Sequence, residues 1–351
     1  MAGNVIGTLF RFTSFGESHG SHIGGVVDGC PSNMVLDMDR IADDLSRRRP
    51  KARFSTSRVE EDRLHFLSGL YEGKTLGTPI AFIIENASQH SADYEWLRDC
   101  YRPSHADYVY QMKYGVRDHR GGGRASARET ASRVVAGSIA KQIIEGHGMT
   151  VEAYTSQIGD IVLANHYTTL DLSKRDDNEL YCPDADVAGR MMNLLDEVQK
   201  DGDTVGGVVT CVVKGCPIGL GEPIFDRLQA ALARAMMSIP SAKGFDYGDG
   251  FGMAAMRGSR CLDVLDADFS FRSNHSGGIQ GGIANGEDIF FRVAFKPIAS
   301  LGMEVPLTAV DGSMVTKKIG GRHDVCQVPR AVPVVEAMAA IVLADMLLLA
   351  R

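Results

Sequence analysis

Arg120-Gly-Gly-Gly-Arg-Ala-Ser-Ala-Arg-Glu-Thr130 is the stretch of this 351-residue chain on which the rest of the reading hangs. Its three glycines run straight into a helix signal. Ser126 and Glu129 have the S-x-x-E spacing of a capping box, the apolar pattern continues to Glu145, and Gly146 stands just past the end. A helix N-terminus presents N–H groups without intrahelical partners, and its dipole favours an anion. A glycine hinge would explain the glycines, but not the surrounding Arg120, Arg124 and Arg128.

Outward from this helix the spacing predicts others over 39–49 (stopped by Pro50), 186–200, 225–237 and 334–349. Strands are expected at 7–12, 24–27, 63–67, 80–84, 207–213 and 289–295 from their β-branched and aromatic content. Helices and strands interleave, and no Pro/Ser-rich linker divides them. The expectation is one large domain over 1–351, α/β or α+β. Taken alone, the strand pattern would suit a parallel doubly wound sheet.

Hydrophobic residues make 44% of the chain and charged residues 23%, which excludes collagen, coiled coil and wholesale disorder. The net charge is −7, unevenly placed. Residues 40–133 hold 17 Lys and Arg against 13 Asp and Glu, and the remainder holds 20 against 31. That distribution disfavours a broad nucleic-acid surface and suits a local cationic pocket for a small anion. Seven cysteines show no C-x-x-C spacing, as expected of free thiols in a reducing cytosol. No signal peptide is visible at the start of the sequence. The most apolar stretch, 332–350, is interrupted by Pro333, Glu336 and Asp345 and reads as a buried helix, not a membrane span. The protein is expected in the cytoplasm.

Several short motifs carry possible chemistry. Gly16-Glu-Ser-His-Gly20 fits the G-x-S-x-G of a hydrolase nucleophile elbow, but too few residues precede it to build the sheet such an elbow needs. Its His19, in a glycine-bounded turn, is a candidate general acid. Ser68-Gly-Leu-Tyr-Glu-Gly73-Lys-Thr75 lacks the four-residue spacing of a phosphate loop. Arg47-Arg48-Arg49 with Lys51 and Arg53 is either a solvated helix end or an anion clamp. His105 follows Pro103 and Arg102 at a constrained turn. Arg272-Ser-Asn-His275-Ser-Gly-Gly278 and Gly321-Arg-His-Asp324 place further polar groups in turns. No metal site is expected, since neither His-x-His nor H-E-x-x-H occurs.

Taken together and in order, FGESHG (15–20), RRRP (47–50), RPSHADY (102–108), RGGGRASARET (120–130), GDGF (248–251), SNHSGGIQGGI (273–283), KP (296–297) and GRHD-x-C (321–326) resemble the chorismate synthase family over nearly the whole chain. The resemblance implies an α+β fold with helices sandwiched between antiparallel sheets, assembled as a homotetramer. It implies a lyase that converts 5-enolpyruvylshikimate 3-phosphate to chorismate, the last step of the shikimate pathway. The reaction is an anti-1,4-elimination that needs reduced FMN without net redox change.

By the same resemblance His19 is the general acid toward the departing phosphate. His105 is the cation that stabilises the reduced flavin, and Asp324 the carboxylate that helps remove the ring proton, with flavin N5 as relay. Arg48, Arg53, Arg102, Arg128 and Arg322 are substrate clamps. Arg124, Ala125, Ser126, Ser241, Ala242, Gly278, Lys296, Pro297, Ile298, Ala299, Ser300 and Arg322 are FMN contacts. The chain departs from the family at Val325, where proline is common, and at Ile298 and Ala299, where hydroxyls are. The short length favours an external flavin reductase over self-reduction with NADPH. A flavoprotein of another class, a non-catalytic anion binder and a serine hydrolase acting through Ser18 are the alternatives.

Overall fold

A computed structural model describes residues 3–50, 53, 61–86, 95, 97–318 and 324–350. Two five-stranded antiparallel sheets form its outer layers. Sheet I has the spatial order Val5–Ile6, Arg11–Phe15, His22–Asp28, Ile80–Glu85, Leu64–Phe66. Sheet II has the order Ile161–Val162, Thr150–Ile158, Gly207–Lys214, Ile289–Phe295, Ala242–Tyr247. A smaller antiparallel sheet joins Met314–Lys318, Glu304–Ala309 and Cys100–Tyr101.

The helices are α1 (Met38–Arg48), α2 (Asp107–Tyr114), α3 (Thr130–Glu145), α4 (Ala185–Lys200), α5 (Leu228–Met237) and α6 (Val328–Leu349). Between the sheets, α3 packs on Arg11–Phe15, His22–Asp28 and Ile80–Glu85, α6 packs on Thr150–Ile158 and Gly207–Lys214, and the two helices pack on each other. One hydrophobic cluster runs through both sheets and these helices. The fold is α+β with helices inside an antiparallel sandwich; among the described residues every strand pairing is antiparallel, not the parallel arrangement suggested by the strand pattern.

Period-2 burial in Ile80–Glu85 sends Ile80, Phe82 and Ile84 inward. The interior helices are apolar nearly all round, as helices with neighbours on every side are. At their crossing a Cβ on Gly137 would overlap Ala337. Composition and length would let α6 span a membrane, but 19 of its 22 residues are buried inside the protein. It runs through Pro333, losing one internal hydrogen bond.

The two carboxylates of α6 do structural work. Glu336 is fully buried. It accepts from Arg47 (2.7 Å), Lys141 (2.7 Å) and the backbone N–H of Ala153 (3.0 Å), and pairs with Arg175 at 3.1 Å. Burial would raise its pKa, but Lys141, Arg47 and Arg175 hold it well below the usual carboxylate range. Asp345 accepts from the backbone N–H groups of Thr8, Leu9 and Phe10 at 2.7–2.9 Å. That changes the expected strand at 7–12: its N–H groups serve a side chain instead of a ladder, and the strand begins at Arg11.

Three helix starts also differ. Ser126 caps the one-turn 3₁₀ helix Ala127–Glu129 by accepting from the N–H of Arg128, Glu129 pairs with Arg133 at 2.6 Å, and α3 begins only at Thr130. The capping box therefore does not form. α5 starts at Leu228, leaving Phe225 exposed, and α6 starts at Val328, six residues before the expected Val334. The strands Thr150–Ile158, Ala242–Tyr247, Glu304–Ala309 and Met314–Lys318 had no counterpart in the pattern. All seven cysteines are free, and burial pushes the thiols of Cys30 up to about 11 and of Cys326 up to about 12.

Candidate active site

A cavity of about 620 Å³ opens where the C-terminal end of α1, the 3₁₀ turns before α3, the loops at 102–107, 238–241 and 296–300, and the first turn of α6 converge. That volume suits a cofactor or a small ligand. Six cations line it, Arg48, Arg102, Arg124, Arg133, Lys296 and Arg330, against three carboxylates, Asp107, Glu129 and Asp324. His19 and His105 also face it. The cations cluster as expected, and four of the six come from the 40–133 segment.

His19 is held by two glycine loops. Gly16 turns at φ +93°, and Ser18 Oγ lies 3.0 Å from His19 Nδ1. The triple glycine packs on this turn: a Cβ on Gly121 would strike the His19 ring, and one on Gly123 would approach the Glu17 carboxylate. The two motifs, a hundred residues apart, form one surface because Gly121 carries no side chain.

His105 sits on the opposite motif. Its Nδ1 is 2.9 Å from the Pro103 carbonyl and its Nε2 is 3.1 Å from Ser300 Oγ. A carbonyl only accepts, so Nδ1 carries the proton, and Nε2 accepts from Ser300. Burial, then the charge of Arg102, pushes the imidazole down to about 4. The resemblance implied a cationic His105; in these surroundings the neutral form is favoured at pH 7 despite the nearby Asp107 carboxylate. Arg102 forms a two-point pair with Asp107, both bonds 2.8 Å, and Asp107 also accepts from the Arg102 backbone N–H.

The Arg47-Arg48-Arg49 triplet divides its work because Arg47 and Arg48 point about 100° apart at the end of α1 and Arg49 follows in extended backbone. Arg47 reaches inward to Glu336. Arg48, 1% exposed, turns to the cavity wall and to Asp62. Arg49 donates to the carbonyl of Glu61. Asp62 is buried and pairs with Arg48, Arg49 and Arg128.

Arg124 donates to the carbonyls of Gly16 and Ser14 and to Ser14 Oγ, none of which carries charge. Burial and the neighbouring Lys243 lower the pKa of Lys296. Asp324 Oδ2 accepts from Arg330 at 2.7 Å, and Arg330 Nε donates to the carbonyl of Arg48 at 3.2 Å.

With this geometry in place, comparison with known proteins is decisive. The family model described as chorismate synthase matches residues 10–348. The chorismate synthase of Bacteroides fragilis (strain YCH46) is 54% identical over 99% of this chain and 98% of its own. That of Flavobacterium psychrophilum is 54% identical with the same coverage. The chain belongs to the chorismate synthase family. A solved structure titled "Crystal Structure of Chorismate Synthase" superposes with a TM-score of 0.78 at 32% identity, covering 98% of this chain and 92% of that one. Family membership makes the protein a lyase of the last step of the shikimate pathway.

Within this chorismate synthase fold the residues singled out by sequence separate into two groups. His19, Arg48, Arg102, His105, Arg124, Ala125, Ser126, Ser241, Lys296, Ile298, Ala299, Ser300 and Asp324 line the cavity. Arg53, Arg128, Ala242, Pro297 and Gly278 do not. Arg53 lies exposed and donates to Asp196 of α4 at 2.7 Å. Arg128 donates to Asn86 Oδ1 and to the Glu85 carbonyl, both at 2.8 Å, tying the loop to sheet I. Ala242 and Pro297 are immediate neighbours of lining residues. Gly278 turns at φ +77° against Asp288 and Ile289. Arg322 falls outside the described residues. Sequence reading passed over Arg133, Arg330, Gln327 and Tyr110, which line the cavity, and Asp62 and Asp107, which hold its arginines.

Proposed function

We propose that this protein converts 5-enolpyruvylshikimate 3-phosphate to chorismate and inorganic phosphate by anti-1,4-elimination, with reduced FMN as a cofactor that is not consumed. One observation carries the reading: a single cavity gathers His19, His105 and Asp324 among six cations and three carboxylates. The substrate brings two carboxylates and a phosphate. Their desolvation costs several kcal/mol per ion unless cations are already in place.

The residues present fit FMN. Arg124 spends its guanidinium on neutral acceptors, and Lys296 is placed beside Lys243, so this wall has positive charge to offer a phosphate or an anionic ring. Arg124, Ala125, Ser126, Ser241, Lys296 and Ser300 would hold the cofactor. When bound, reduced FMN supplies transient electron density to the substrate ring and recovers it.

The protein supplies the rest. His19 donates a proton to the phosphate as its C–O bond breaks. Asp324 takes part in removing the ring proton, so one C–O and one C–H bond are lost and a ring double bond is gained. His105, which its surroundings hold neutral, gains a proton beside an added anion and then acts as a cation. Arg48 and Arg102 grip the substrate's anionic groups. We further propose that the enzyme works in the cytoplasm as a homotetramer and receives reduced flavin from a separate reductase.

The test is anaerobic. Purified protein is mixed with the substrate and chemically reduced FMN, and phosphate and chorismate are followed together. Equal catalytic release of both, with flavin still reduced, is expected. Stoichiometric flavin oxidation would point to net redox chemistry, and phosphate without chorismate to a phosphatase.

A further inference from the structure

We propose that Arg330 is a positioning residue of this reaction, holding Asp324 in a fixed orientation on the cavity wall, with the Arg48 carbonyl as its second anchor. The inference rests on the reading above, in which Asp324 helps remove the ring proton. Arg330 belongs to no motif that the sequence singled out, yet it touches two of them. Its Nη1 donates to Asp324 Oδ2 at 2.7 Å, and its Nε donates to the backbone carbonyl of Arg48 at 3.2 Å.

What makes Arg330 suited to the task is where it is rooted. Asp324 lies on a loop, and Arg48 ends α1. Arg330 stands in the first turn of α6, whose start is set by Pro329 and whose body is buried between the two sheets. A planar guanidinium with donors on two edges can fix a carboxylate and a carbonyl at once, which an ammonium cannot do with the same geometry. The pair is largely out of water, with side-chain exposures of 16% and 10%, so the contact is shielded but borders the cavity. Arg330 thereby converts the rigidity of the core helix into a fixed orientation for Asp324. Groups held through a supporting shell lose function when displaced by about 1 Å, typically about 10²-fold.

The test compares Arg330→Gln, Arg330→Lys, Asp324→Asn and the double variant Arg330→Gln/Asp324→Asn. Arg330→Gln is expected to lower kcat about 30-fold, with KM for the phosphorylated substrate and FMN affinity changed less than about threefold, because the loss is one of orientation. The isotope effect on the ring hydrogen that is lost should rise, since that step becomes slower. Arg330→Lys, which keeps the charge but not the second bond, should recover part of kcat. The double variant should be no slower than Asp324→Asn alone, since Arg330 acts through that carboxylate. Wild-type kcat in Arg330→Gln, or a loss that multiplies fully with that of Asp324→Asn, overturns the inference. A drop in melting temperature that accounts for lost FMN binding assigns Arg330 to stability alone and overturns it too. If the wild type itself makes no chorismate, it is the functional reading that fails.

Discussion

Gly121 lies flat against the His19 imidazole: a Cβ built on it would overlap Nδ1 and Cε1 of the ring. Its φ is not in the left-handed region that favours glycine, so the backbone there does not itself require one. Gly121→Ala should therefore fold and fail only by pushing His19 aside. We expect about a 10²-fold loss of turnover with an unchanged circular dichroism spectrum. Turnover near wild type would show that the GESHG turn can yield without cost.

Glu336 predicts a stability effect remote from the chemistry. Replacing it by alanine leaves Lys141, Arg47 and Arg175 facing a cavity in the core without their common carboxylate. Breaking a buried pair from one side costs about 3–5 kcal/mol. Urea unfolding of Glu336→Ala should show a loss of that order, and the soluble yield should fall. The sign with pH follows from its lowered pKa. Its stabilisation is present above the unfolded carboxylate value of 4.5 and is lost as pH falls toward the folded one. The Glu336→Ala variant should therefore lose less stability than wild type on acidification below that point.

Legibility in the sequence followed the range of the forces involved. The helix after the triple glycine, the strand Ile289–Phe295 and the helix before Pro50 were readable because local periodicity and stop signals decide them. The strand Thr150–Ile158 was not, because six of its nine residues are buried without regular alternation, within sheet II and under α6. The 7–12 run misled because its N–H groups are claimed by Asp345, more than three hundred residues away. At the site, residues inside glycine- or arginine-rich motifs were found. Asp62, Asp107 and Arg330 were not, since each matters only through a pairing that the fold creates. Arg128 shows the converse: a residue in a suggestive motif whose donors serve the scaffold.

His19 and Asp324 divide the proposed elimination into a proton given and a proton taken. His19→Ala and Asp324→Asn should each retain the fold and FMN binding while turnover drops roughly 10²–10⁴-fold, the range for lost general acid–base assistance. Stopped assays of chorismate formation, with FMN titrated separately, check this. Wild-type turnover in either variant removes that residue from the mechanism.

His105 should report ligand binding as a pH effect. Burial and Arg102 push its imidazole from 6.5 down to about 4, while the Pro103 carbonyl and Asp107 oppose the shift and Lys296 adds to it. The folded state thus resists a proton that the unfolded state accepts. Between about pH 6.5 and 4 the unfolded chain binds more protons, so stability falls as pH drops through that window and His105 has no effect above it. A His105→Asn variant should lose less melting temperature than wild type over the same range. An anionic ligand reverses the balance by favouring imidazolium. At pH 6 the binding of the phosphorylated substrate should then take up close to one proton. Calorimetry in buffers of different ionisation enthalpy measures that uptake directly, and its absence in His105→Asn assigns the proton. Equal uptake by wild type and variant would place the proton elsewhere in the cavity and leave His105 a neutral partner of Ser300.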